Sequence, residues 1–373
     1  MVILLKIKLK CINCDFESRD LLNGLCPLCG GLMIIQYENA VFYIDRSKPG
    51  IWRYSSLLPV FSKTISMGEG LTPVSRIDSV LIKNEKFNPT GSYIDRASSI
   101  IASYLISNGV NNVLIKYTED FTRSLIYYLR NTSIDIDVYV DNIMDIESSD
   151  LQFFVNNDID VLTKPNISVV NIDYVNPLTI EGLKTIVFEI YEKRIDVDKI
   201  IVPAETGLLA FSLNKGLKDL VKTGVDVDYE IIAVTFKNNE VPLLRYVKNG
   251  GIKLVEISEE EAYSSFKKLV RKGFRTKLLA AICYSIAESL ERSIAIVTAG
   301  YKTHSSRVSE VKKVIREVLL NKPNISAYMI WKEKSVYSLR AFYKAIKDME
   351  LKREICFEIV NKGRRKVKLY RLC

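Results

Sequence analysis

Between residues 80 and 300, short runs of branched apolar residues alternate with stretches whose apolar positions recur every three or four residues. VLIKNEKF (80–87), NVLIKY (112–117), DIDVYV (135–140), DKIIVPA (198–204), YEIIAVTF (229–236) and SIAIVTAG (293–300) predict strands. Helices are predicted over 95–108, 123–132, 210–221, 259–273 and 277–290. Strands without clean polar alternation, separated by helices of roughly ten residues or more, describe α/β units around mostly parallel sheets. In such folds, ligands sit in the loops that follow the strands. Ahead of this region the apolar N-terminal stretch is broken by Lys6, Lys8 and Lys10 and has no small-residue cleavage site, so it reads as a strand and not a signal peptide. A further strand over Leu32–Tyr37 leads into an irregular connection carrying Trp52 and Tyr54.

After residue 304 the rhythm changes. Ser309–Leu320 has helical periodicity with Val311, Ile315, Val318 and Leu319 on one side. A short helix over Ile325–Lys332, a turn at 334–337 and a helix over Ser338–Glu350, capped by Ser338, follow. Two strands joined by a basic glycine turn at 361–364 close the chain. This order predicts a winged helix-turn-helix. Charge sharpens the expectation: 305–373 carries 18 Lys and Arg against 7 Asp and Glu, a net of +11, whereas the first 304 residues sum to −2. An excess confined to one compact segment points to a polyanionic partner. The last helix offers Arg340, Lys344 and Lys347 to a major groove, and the wing offers Lys362, Arg364 and Arg365 to phosphates or the minor groove. A dimerisation module with a solvated charged face is the alternative.

Four of the seven cysteines form Cys11-x2-Cys14-x11-Cys26-x2-Cys29, the spacing of a zinc-ribbon-like knuckle. Each pair makes a tight turn aiming two thiolates at one ion, with Gly30 and Gly31 expected to supply unusual dihedrals. Zinc in a structural role is the first choice and iron the second; unligated thiols in a reducing cytosol are the alternative. Cys283 is expected in the core, Cys356 in a strand and Cys373 at the terminus. The one histidine, His304, excludes a histidine-rich metal site and reads as a surface residue. No apolar run reaches the roughly 18 residues of a membrane span, so a cytoplasmic protein without membrane contact is expected. Three parts follow: a four-cysteine knuckle over 1–38, α/β domains over 39–304 with a smaller subdomain roughly over 95–175, and the winged helix over 305–373.

Several segments, in order, resemble threonine synthases: the paired CxxC, GIWRYSSLLPV (50–60), MGEGLTPV (67–74), KNEKFNPTGSYIDR (83–96), NPLTIEGLKTIVFEI (176–190) and VPAETGLLAFSLNKGLKDL (202–220). The resemblance implies a two-domain α/β PLP fold type II, tryptophan-synthase-beta-like, with the cofactor between the domains and a homodimer as the usual assembly. It also implies a Schiff-base lysine in a motif of the form S-F-K-D-R. Here the motif reads Ser92-Tyr93-Ile94-Asp95-Arg96. Isoleucine forms no imine and moves no proton. Substitution by Lys83, Lys86 or Lys116 is the alternative to a lost function.

Two further sites depart from the resemblance. An asparagine-containing loop should hold the pyridine ring, but the aligned stretch is Tyr117–Arg123, with Phe121 among acidic residues. The phosphate loop should be glycine-rich, but Glu205, Thr206 and Gly207 stand there, followed by Leu208 and Leu209. The last strand ends Thr298-Ala299-Gly300-Tyr301-Lys302, only partly like the family's loop. No catalytic residue and no PLP are therefore expected. The sequence favours a non-catalytic regulator, binding DNA through the tail and using the α/β region as a dimer scaffold or small-molecule sensor. The alternatives are an active PLP-dependent threonine synthase or related lyase with an atypical pocket, and an inactive paralogue supporting an enzyme.

Overall fold

The computed structural model describes residues 6–165, 168–274, 276–299, 307–333, 339–351, 354–362 and 365–373. The chain divides into two compact units, Met1–Lys302 and Thr303–Cys373.

Unit 1 opens with a three-stranded antiparallel sheet, β1 (Lys6–Cys11), β2 (Glu17–Ser18) and β3 (Met33–Glu38), in the order β2-β1-β3. Tight turns over Gly50–Leu57 bury Trp52 and Tyr54. The hairpin β4 (Val74–Ile77) and β5 (Val80–Asn84) then forms one edge of the large sheet. The strand expected over 80–87 stops at Asn84, because Glu85 turns into a buried ion network.

Helix α1 (Asp95–Ser107) leads into a smaller parallel sheet built of β6 (Asn112–Lys116), β7 (Asp135–Tyr139), β8 (Asp160–Leu162) and β9 (Val170–Ile172), in the order β8-β7-β6-β9. Its helices are α2 (Glu119–Leu129) and α3 (Ser148–Val155). The chain returns through α4 (Pro177–Leu183) and α5 (Thr185–Glu192) to the large sheet. There β10 (Lys199–Pro203), β11 (Glu230–Phe236), β12 (Lys253–Ile257) and β13 (Ser293–Val297) alternate with α6 (Leu208–Lys222), α7 (Leu244–Asn249), α8 (Glu259–Arg271) and α9 (Leu278–Glu288). The strand order is β12-β11-β10-β13-β5-β4, parallel except for the β4–β5 edge.

Both faces of this sheet are covered, which explains the continuous apolar runs in the sequence. Ile200, Val202, Ile294 and Ile296 join one core; their neighbours Ile201, Ala295 and Val297 join the other. That is the two-residue alternation of a strand buried on both sides.

Unit 2 runs α10 (Arg307–Asn321), β14 (Ile325–Ser326), α11 (Ala327–Glu333), α12 (Leu339–Leu351), β15 (Ile355–Lys362), β16 (Arg365–Leu372), with the antiparallel order β14-β16-β15. Val311, Ile315, Val318 and Leu319 face its core, with Phe342, Ile346 and Tyr370. The helix expected to begin at Ile325 begins at Ala327. Asn324, at φ 62°, turns the chain so that Ile325 pairs with Tyr370. Ser338, the expected cap, and the turn at 334–337 lie outside the described residues.

Candidate functional site

The expected carboxyl-end crevice is present. A cleft of about 200 Å³ lies where β6, β9, β10 and β13 end, lined by residues following each of these strands and by the loop before α1. Ile94 lines it and is 1 % exposed. Its loop is anchored by the Tyr93 N–H, which donates to the Thr298 carbonyl at 2.8 Å.

The segment aligned with the ring-contact loop is not a loop. Helix α2 starts at Glu119, four residues before the start expected from apolar periodicity. The acidic pair Glu119 and Asp120 fills its first turn, a start signal that the periodicity masked. Thr118 precedes it in an extended conformation, and its N–H donates to Thr122 Oγ1 at 2.9 Å. Phe121 lines the cleft and is fully buried, its ring 5.6 Å from that of Tyr174.

Across the cleft, the β10–α6 turn holds Glu205, Thr206 and Gly207. Glu205 is exposed. The Leu208 N–H that would face an anion donates to Thr206 Oγ1 at 3.2 Å. Gly207 adopts φ 87°, and a Cβ there would lie 3.1 Å from both Val241 and Val247. Of the two leucines expected to obstruct the turn, Leu208 is buried in the core and Leu209 faces the cleft.

Lys277 escaped the sequence reasoning, because a lysine before an apolar helix carries no pattern. It is the one ammonium among the described cleft residues. Its Nζ lies 2.9 Å from Asp120 and 3.1 Å from Glu119. Burial works to lower its pKa, but the attraction of these two carboxylates outweighs it and holds the proton on. The hydroxyls of Tyr93 and Tyr174 meet at 3.0 Å, and burial pushes both well above the usual phenol range.

The lysines considered as replacements for residue 94 are engaged elsewhere. Lys83 is fully buried, 2.7 Å from Glu189 and 3.1 Å from Glu85. Lys86 lies over the Phe274 ring, and Lys116 pairs with Asp173 at 3.5 Å. None of the three lines the cleft. Arg96 completes the Lys83 network, donating to Glu85 at 2.7 and 2.9 Å and to Glu189 at 2.8 Å. Much of MGEGLTPV and KNEKFNPTGSYIDR is thus accounted for structurally: Thr72, Glu85 and Asn88 all bond within this network. Asp95 is buried beside it, accepting from the Thr90 N–H and Ser124 Oγ at 2.6 Å each; burial pushes its carboxyl up to about 7.

The sulfurs of Cys11, Cys14, Cys26 and Cys29 all lie within 4.8 Å of one another. Neighbouring pairs stand 3.5–3.6 Å apart. A tetrahedron with metal–sulfur bonds of about 2.3 Å has edges of about 3.8 Å, so this four-sulfur set can hold a metal ion. Gly30 leaves the turn at φ 65°, as expected of it. Gly31 is required for space instead: a Cβ would sit 2.6 Å from Cys11 Sγ.

On α12, Lys344 and Lys347 are exposed beside Tyr343. Arg340 lies on the same helix, and Lys362 pairs with Arg365 at the ends of β15 and β16. Arg364, the segment 300–306 with His304, and the end of the last-strand loop lie outside the described residues. Cys283 is buried, as expected, whereas Cys356 and Cys373 are joined in a disulfide.

Comparison with known proteins agrees with this architecture. Serine racemase from Dictyostelium discoideum superposes with a TM-score of 0.52 at 17 % identity, covering 62 % of this chain and 92 % of that one. Maize serine racemase gives 0.52 at 15 %, covering 65 % and 93 %. O-ureido-L-serine synthase gives 0.51 at 16 %, covering 65 % and 92 %. The fold is PLP fold type II. In sequence, the chain is 25 % identical over 311 residues to threonine synthase of Methanosarcina acetivorans, covering 74 % of this chain and 75 % of the relative. It is 29 % identical over 253 residues to threonine synthase of Methanocaldococcus jannaschii, covering 58 % and 62 %. This is weak kinship at partial coverage, at the level of the superfamily. No family model matches the chain. Among the described residues no helix is long and apolar enough to cross a membrane.

Proposed function

We propose that this chain is a threonine-synthase-related protein whose cleft binds a small ligand without forming an imine. The observation that carries this is Ile94, a buried hydrocarbon lining the cleft where the resemblance expects an amine. Lys277 does not stand in for it, since two carboxylates keep its ammonium charged and engaged. Glu205 adds negative charge in the loop where a phosphate would sit, and Thr206 takes the first helix amide. These residues do not fit a phosphate-bearing aldehyde cofactor.

The comparisons favour a second reading: a PLP-dependent threonine synthase or related lyase with an atypical cleft. Both curated relatives bear that name, and neither comparison bears on DNA. One experiment separates the two. The protein is incubated with PLP, its visible spectrum is recorded, and borohydride reduction is followed by peptide mapping. No imine band and no lysine adduct are expected. An adduct on Lys277, the lysine of the cleft, in stoichiometric yield refutes the proposal and leaves the lyase standing.

For unit 2 the proposal is a winged helix that contacts DNA, with the α/β unit as dimer scaffold or sensor. The helix–strand–helix–helix–hairpin order, the net charge of +11 over 305–373, and the exposure of Lys344 and Lys347 support it. Replacing both lysines with Glu should weaken duplex binding and flatten its salt dependence by about 0.9 per lost phosphate contact. Unchanged affinity and slope would remove this part. The four-sulfur knuckle is proposed to hold zinc in a structural role, since all four ligands come from the protein.

A further inference from the structure

A second cavity in unit 1 is larger than the cleft. A space of about 330 Å³ lies between the four-cysteine knuckle and α6, and no residue lines both. We infer that it is a second binding site, taking a small organic anion that carries an apolar ring.

Lys215 and Asp219 lie on the wall of this cavity but belong to a buried cluster with Glu181 and Lys184. Lys184 to Asp219 is 2.7 Å, Lys215 to Asp219 2.7 Å and Lys215 to Glu181 2.8 Å. Two ammonium groups face two carboxylates, so the cluster is neutral as a unit. Lys218 and Lys222 remain, one turn apart on α6 and exposed at the rim. No other lining residue is charged. The carbonyl end of α6 opposes them with about half a negative charge, which two full charges exceed.

Beneath this rim Ile34, Leu57 and Phe211 give the lining an apolar floor, flanked by the amides of Gln36, Asn39 and Asn214. An anion that is only a point charge gains nothing from such a floor, whereas an aromatic carboxylate buries its ring there. The volume lies near the lower end of ligand pockets, about 300–1,000 Å³, which limits the ligand to roughly a bicyclic ring. Two elements give the site consequences elsewhere. Ile12, between the first two cysteines of the knuckle, lines the cavity, so the knuckle shapes it. Helix α6 walls the cavity from Phe211 to Lys222 and starts at the cleft, where Gly207 and Leu209 lie.

The test uses the full-length, metal-loaded protein and three probes of one shape: 2-naphthoate, its neutral carboxamide, and 2-naphthylmethylammonium. Calorimetric titration should show the carboxylate binding at least about tenfold more tightly than the amide, with the ammonium weakest. The double variant Lys218→Glu/Lys222→Glu, both positions exposed, should lose at least about tenfold for 2-naphthoate while keeping its circular dichroism. Lys277→Gln, in the cleft, should leave that affinity unchanged. Equal binding of carboxylate and amide, insensitivity to the rim variant, loss in Lys277→Gln, or no binding at all each overturns the inference. The borohydride experiment concerns the cleft alone, so the two ideas fail separately.

Discussion

Replacing Arg96 with Met tests whether the buried ion network is what holds the loops around the cleft. Arg96, Lys83, Glu85 and Glu189 are all 0 % exposed, two cations against two anions. The guanidinium makes three contacts of 2.7–2.9 Å to the two carboxylates and a fourth, at 3.1 Å, to Thr185 Oγ1. Methionine fills much of the space but leaves two carboxylates facing only Lys83, one buried charge unpaired. Breaking a buried pair on one side costs about 3–5 kcal/mol, a large part of the roughly 5–15 kcal/mol that holds a domain folded. Urea titration followed by Trp52 fluorescence, in a Trp331→Phe background so that only unit 1 reports, measures the loss. The cost should also depend on pH. Against burial, Arg96 and Lys83 hold the Glu85 and Glu189 carboxyls below the usual range. Their contribution is present above the unfolded value of about 4.3 and disappears as pH falls through the native values. In the variant one carboxyl rises and takes up a proton in the folded state, so the deficit at pH 5 should be smaller than at pH 7. A loss under about 1 kcal/mol, the range of exposed pairs, or one equal at both pH values, would refute the reasoning.

Three further outcomes follow from the same structure. One metal ion per chain should co-purify, and Cys14→Ser should lose it and lower the melting temperature of unit 1; metal content and calorimetry check both. Burial raises Asp95 to about 7, so the native state binds more protons than the unfolded chain between about pH 4 and 7. Its contribution to stability is fully present below that window and lost as pH rises through it. Asp95→Asn should therefore gain on the wild type across the window in a melting series, and a gap independent of pH would mean that Asp95 is ionised when folded. The Cys356–Cys373 bond closes a 17-residue span in unit 2, so dithiothreitol should destabilise that unit by about 3 kcal/mol. A melting transition of unit 2 indifferent to reductant would count against the bond.

The sequence by itself determined whatever depends on local pattern. Runs such as KIIVP and SIAIV announced strands buried on both faces, and the CxxC spacing brought four thiols to one point, because ligand spacing is a local property of two turns. Val311, Ile315, Val318 and Leu319 announced the buried face of α10 by helical spacing. Ile94 was legible because the motif around it is intact. Local pattern failed where a longer-range partner decided the outcome. The Glu119 start of α2 was hidden because its signal is acidic, not apolar, and Ile325 became a strand because Tyr370, 45 residues on, offered a ladder partner. The tertiary structure alone brought Lys277 to a cleft containing Ile94, committed Lys83 to a buried network and joined Cys356 to Cys373. It alone placed the knuckle against α6 to enclose the larger cavity. Such features depend on which surfaces meet once the sheets have packed, and no periodicity along the chain encodes that meeting.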